Sequence, residues 1–255
     1  MASPVVQAVS TSAPAGDTAT LTLNVPSGTT DGDYLLAVVS AYSNRVITPP
    51  SGWTEVEGLA DASPFVQIRA YARVASSEPA SYNWGLDLAR PFGGCMLRID
   101  GQHATTPVDD SASAVDPDTN DTTATMPSVT TTADDTLLVC GYVFTTGTAR
   151  TFSPPSGMTE QADLHPSGSG GFIHLGVFTE TLASSGATGA RDATASAQID
   201  IGGIGLSLAI APAASEVAGA VAFPIALGHA VAGTLTASGA LGASLALTAS
   251  LAGQT

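Results

Sequence analysis

Hydrophobic residues along this chain recur at every second position, not at every third or fourth. Residues 19–25 read Ala-Thr-Leu-Thr-Leu-Asn-Val, the period of a half-buried strand. Residues 66–74 alternate as cleanly. Val66, Ile68, Ala70, Ala72 and Val74 fall on one face, and Gln67, Arg69, Tyr71 and Arg73 on the other. Residues 34–41 (YLLAVVSA) are apolar almost throughout, which predicts a central strand covered on both sides. Shorter strands are expected over 5–10, 53–57, 81–86 and 94–99. Pro26-Ser27-Gly28, Asp31-Gly32-Asp33 and Asn44-Arg45 punctuate them as turns. No stretch carries a capped apolar series at i, i+3, i+4 and i+7, so helix is expected to be absent.

The same order then returns. Thr48-Pro49-Pro50-Ser51-Gly52-Trp53-Thr54-Glu55 reappears as Ser153-Pro154-Pro155-Ser156-Gly157-Met158-Thr159-Glu160. The prolines impose an extended approach, and Ser-Gly allows a reversal. The phrase predicts a turn, with Trp53 or Met158 starting the next strand on its inward side. Around it Asp33-Tyr34-Leu35-Leu36 matches Asp135-Thr136-Leu137-Leu138, an offset of 102 (135 − 33). Phe65-Val66-Gln67-Ile68 matches Phe172-Ile173-His174-Leu175 at 107 (172 − 65), and Gly93-Gly94 matches Gly202-Gly203 at 109 (202 − 93). Short loop insertions account for the drift. The expectation is an all-β protein of two tandem β-sandwich units, Ig-like or jelly-roll-like, over 1–106 and 107–212. Residues 107–121 are either a linker or the first edge strand of the second unit. Periodicity leaves open whether the units are separate sandwiches or share one core.

Composition narrows the function. Charged residues make up 11%, the seven basic residues are all arginine, and 22 acids bring the net charge to −15. Such a surface repels phosphate backbones, so nucleic acid is not an expected partner. The N-terminus has neither a basic nor an apolar leader segment, which points to use without Sec export. Cys95 and Cys140 sit in apolar runs at non-equivalent places in the repeat. They are expected to be buried free thiols.

Residues 213–255 differ in kind. From 217 onward there is no Asp, Glu, Lys or Arg, and Ala, Gly, Leu, Thr and Ser dominate. Three readings compete. Pro224, His229 and many glycines argue against a membrane span. The segment is too apolar for the usual disorder signature. The preferred reading is a run of short strands that intertwines with copies of itself, small side chains letting backbones approach. That implies a homo-oligomer, a trimer by preference.

Candidate chemistry is sparse. Residues 116–121 (DPDTND) open like a calcium loop, then place Asp121 where glycine is needed and Pro127 where the closing glutamate is needed. They read as a solvated acidic linker. His103, His165, His174 and His229 share no metal spacing, so no metal, cofactor or catalytic residue is expected. Ser167-Gly168-Ser169-Gly170-Gly171 reads as a flexible loop and not a nucleophile elbow. Glu55 and Glu160 are equivalent positions of the repeat, which suits a structural role better than an acid/base pair. Tyr82 and Trp84 are the candidate ligand-stacking surface, for a sugar ring, and Trp53 is the candidate core residue.

The succession of a Gly-Asp-led apolar run, ITPPSGWTEV, an alternating strand ending ARVASSEPASYNW, GG-CMLRIDG, TPVD and then PPSGMTEQAD resembles a β-rich module of tailed-bacteriophage structural proteins, actinobacteriophage minor tail proteins above all. The resemblance covers 1–212 as two modules and, more loosely, 213–255. It implies a virion structural protein without enzymatic activity, assembled in the host cytoplasm into a tail tip or fibre. Its implied partners are itself, other virion proteins and host cell-wall glycan, with no membrane span. Capsid decoration or head-fibre and a carbohydrate-binding adhesion module are the alternatives.

Overall fold

The computed structural model describes residues 3–61, 65–117, 121–169, 171–199 and 202–214. They are strands and turns, without helix. The first half carries β1 (Val5–Ser12), β2 (Thr18–Asn24), β3 (Tyr34–Tyr42), β4 (Ile47–Thr48), β5 (Thr54–Asp61), β6 (Val66–Val74), β7 (Ser81–Arg90) and β8 (Phe92–Asp100). The second carries β9 (Val108–Asp116), β10 (Asp121–Met126), β11 (Thr130–Thr131), β12 (Thr136–Thr146), β13 (Phe152–Ser153), β14 (Thr159–Leu164), β15 (Ser167–Gly168), β16 (Gly171–Leu182), β17 (Gly186–Ala187), β18 (Arg191–Ile199) and β19 (Gly203–Ile210).

The halves repeat each other in their two main sheets, and the short β11, β15 and β17 are strands of the second half alone. A large sheet in the order β1-β8-β3-β6-β5 is matched by β9-β19-β12-β16-β14. A small sheet β2-β7-β4 is matched by β10-β18-β13. All the ladders are antiparallel, and β3 and β12 sit at the centre of their sheets, as their unbroken apolar runs require. Residues 107–116 are therefore no free linker, because β9 is the edge strand of the second large sheet.

The repeated phrase is a turn in both places. The Trp53 N–H donates to the Pro50 carbonyl at 3.3 Å and Met158 N–H to Pro155 at 3.0 Å. Gly52 and Gly157 take φ of +82° and +84°, the left-handed value that the third position of a type II turn requires. Trp53 and Met158 then enter their cores, each 7% exposed.

Residues 1–213 form one compact unit, and residues 214–255 are grouped apart from it. The assembly segment expected over 213–255 lies almost wholly outside the described residues. Inside the compact unit there are three cores in four layers. Each large sheet packs one face on its own small sheet, around Trp84 and Phe92 in one half and Phe144 and Phe178 in the other. The remaining faces of the two large sheets pack on each other. Val38, Ile68 and Leu97 meet Val139, Leu175 and Leu206 in one shared core. Each side chain of this size, fully buried, contributes roughly 1.5–3 kcal/mol of hydrophobic stabilisation.

The shared core has the symmetry of a two-fold dimer within one chain. β3 lies against β16 as β12 lies against β6, and β5 against β9 as β14 lies against β1. The two seams differ in closure. At the β5–β9 seam Glu57 accepts hydrogen bonds from Ser111 Oγ at 2.8 Å and Ser113 Oγ at 2.7 Å. At the β1–β14 seam a cleft of about 260 Å³ remains, lined by Val5, Val6, Thr159 and Gln161 among others.

The dyad runs along the strands, so equivalent loops share one end. Ala15 bridges to Ser167 there, and Gly16 N–H donates to the Ser167 carbonyl at 2.8 Å. Ser169 N–H donates to Asp17 at 3.0 Å. In the segment expected as a flexible loop over 167–171, Ser167 pairs with Phe172 and Gly168 with Gly171. The opposite end holds the two repeated turns and the Gln102–Pro212 bridge, where the compact unit ends.

Candidate functional site

The aromatic residues singled out for ligand stacking belong to one cluster. Trp84 sits opposite Leu21, and Tyr82 opposite Leu23, across the β2–β7 ladder. Alternation then turns Trp84 towards the large sheet, where it is 0% exposed. Trp53 meets it edge-on at 5.1 Å between centroids and Tyr82 at 5.3 Å. A fully buried indole has no open face for a sugar ring. Tyr82, at the rim, is tied by its hydroxyl, which accepts from Arg73 at 2.6 Å and donates to Glu78 Oε2 at 2.6 Å. Arg73 also pairs with Glu78 at 2.9 Å and lies 5.3 Å over the Tyr82 ring. Burial and the Glu78 carboxylate push the phenol up to about 12.

Both cysteines are free and buried, and burial pushes their thiols up to about 12, so neither supplies a thiolate near neutral pH. Asp116 is no solvated linker residue. It is 6% exposed and accepts hydrogen bonds from Thr125 N–H and Tyr142 Oη, both at 3.0 Å. Residues 118–120 of that stretch and His229 lie outside the described residues. Glu55 pairs with Arg69. The Glu160 carboxyl is pushed up, by burial first and Asp163 second. The two glutamates lie on edge strands of different sheets and face no common cleft. His103 Nδ1 takes the Thr106 N–H at 3.1 Å inside a turn. Among the described residues no group of three or more His, Cys, Asp or Glu is placed to hold a metal, and no helix is long and apolar enough to cross a membrane.

The most distinctive polar chemistry lies at the loop end, where the repeat has diverged. In the first half Gln67, 0% exposed, sends its amide to the carbonyls of Ser43 at 3.0 Å and Arg45 at 2.8 Å. It thereby latches the loop between β3 and β4. In the second half His174 takes its place, also 0% exposed, and holds the loop between β12 and β13. Its Nδ1 lies 3.3 Å from the Arg150 N–H and 3.2 Å from the Arg150 carbonyl. The ring stacks on Phe144 at 4.7 Å. A second histidine completes the group, His165 Nδ1 standing 3.2 Å from His174 Nδ1. Asp163 Oδ1 is 3.8 Å from His165 Nε2, and Asp163 Oδ2 takes the Phe152 N–H at 3.0 Å. His174 Nε2 and Asp163 Oδ1 are buried and make no hydrogen bond. The repeat alignment already set His174 opposite Gln67. Alternation, however, places Gln67 on the face that reads as polar, which hides the burial of this position.

Burial, and next the neighbouring His165, lower the His174 imidazole from 6.5 to about 4. A depressed base binds fewer protons folded than unfolded. Its contribution to stability is therefore complete above pH 6.5 and is lost as pH falls through about 4. Burial pushes the Asp163 carboxyl up, which acts in the opposite sense in the carboxylate range.

Comparison with protein-family models, with curated proteins and with solved structures found no match. The geometry defines an all-β sandwich protein whose prominent side chains hold the scaffold together.

Proposed function

We propose that the chain is a structural component of a tailed-bacteriophage virion, a minor tail, tail-tip or fibre protein that self-assembles through residues 213–255. The observation that carries this reading is the pairing of two unlike parts. An internally duplicated sandwich has its prominent aromatic and histidine side chains tied into its own frame, and a small-residue segment without charged side chains from 217 onward follows it. A binding or catalytic protein needs accessible side chains converging on a pocket. A building block needs a stiff body and a means of joining copies, with loops left for contact with other virion proteins or host cell-wall glycan. The resemblance of 1–212 to virion modules points the same way. The carbohydrate-binding alternative loses its main support with the burial of Trp84.

Gold-labelled antibodies against the chain, applied to purified particles of the phage that encodes it, test the reading. Label at the tail tip or fibres is expected. Label on the capsid would favour the decoration alternative, and unlabelled particles containing none of the chain would overturn a virion role.

A further inference from the structure

We propose that the loop between β12 and β13 is an acid-released element, held shut at neutral pH by His174, whereas its twin between β3 and β4 is held permanently by Gln67. The argument is geometric and has an internal control. The two latches occupy the same place in matched sheets, and each clasps the backbone of an equivalent arginine, Arg45 or Arg150. Glutamine does not titrate in this range, but imidazole does.

Burial first, then His165 and the Arg150 charge, make protonation of His174 costly and outweigh the Arg150 carbonyl, 3.2 Å from Nδ1, which would accept from a protonated ring. The connection after β14 brings His165 to its Nδ1, and the loop itself brings Arg150. β12 contributes the apolar Phe144, and β16 itself contributes Phe172. The one carboxylate in the group, Asp163 on β14, is directed to Phe152 N–H and His165 and not to His174. A protonated ring can no longer accept the Arg150 N–H. It also sets a cation beside a histidine and an arginine, with its Nε2–H lacking an acceptor. The charge is relieved when the ring swings to water, and the loop it held goes with it.

Hydrogen exchange of backbone amides, corrected for intrinsic rates, tests this in the full chain. Between pH 7 and pH 4.5 protection of the Arg150 amide should fall at least about 10-fold, given a base lowered from 6.5 to about 4. The Arg45 amide, which donates to Ser43 at 3.0 Å, should keep its protection. His174→Gln, which installs the first half's latch, should abolish the fall. His165→Gln should shrink it, because without that repulsive neighbour the latched ring takes up a proton at less cost. The proposal is wrong if both loops lose protection together, if neither does, or if the loss persists in His174→Gln.

Discussion

Ile68→Asp is expected to unfold both halves in one transition and to lower stability by more than about 4 kcal/mol. Ile68 is 0% exposed on β6, yet its neighbours include the other half. A methyl-sized atom placed at Gly141 on β12 would come within 2.9 Å of Ile68 Cδ1, so the two sheets are in direct contact there. Truncating a buried isoleucine costs about 2–5 kcal/mol, and a carboxylate without a partner adds its desolvation. The tryptophans provide a probe, since Trp53 and Trp84 both lie in the first half. Tryptophan fluorescence therefore follows that half alone, while far-UV circular dichroism follows both. Coincident transitions in the parent, shifted together by Ile68→Asp, are the expected result. A second-half transition that stays where it was would refute the shared core.

Trp84→Ala should cost about 3–5 kcal/mol, the range for removing a large buried aromatic. The void would open under β7, and Trp53 and Tyr82 would each lose an edge-on partner. Thermal unfolding of this variant beside Tyr82→Phe separates two roles. Tyr82→Phe removes only the hydroxyl between Arg73 and Glu78 and should cost about 1 kcal/mol. Comparable small losses for both would mean that Trp84 is not the centre of the first core.

Much of this fold is legible in the chain. The period of two along 66–74 separates the face that enters the shared core from the face that does not. Alternation identifies two sides of a strand but not what covers them. Gln67 and Tyr71 lie on the side that reads as polar, yet both are buried, because a small sheet and a loop close over them. Gln67 is tolerated there because two backbone carbonyls take its amide protons. Likewise Val66, Ile68, Ala70 and Ala72 announce a buried face, but not that their partner is the chain's own repeat. Asp116 reads as part of an acidic linker because the donors to its carboxylate come from residues 9 and 26 positions away, beyond any local pattern. The repeated turn is legible locally, since proline and a left-handed glycine carry its geometry. Trp84 is not legible in this way, because a tryptophan near a turn serves equally as core or as platform, and its strand partners decide which.

We propose that the duplicated body is joined to other copies by the small-residue segment that follows it. Light scattering coupled to gel filtration, on the full chain and on residues 1–213, tests it most directly. The shorter chain keeps all three cores and should run as a folded monomer. The full chain should run as an oligomer, with a three-chain mass expected. Equal one-chain masses for both would contradict the account, and so would an oligomer that survives removal of the segment.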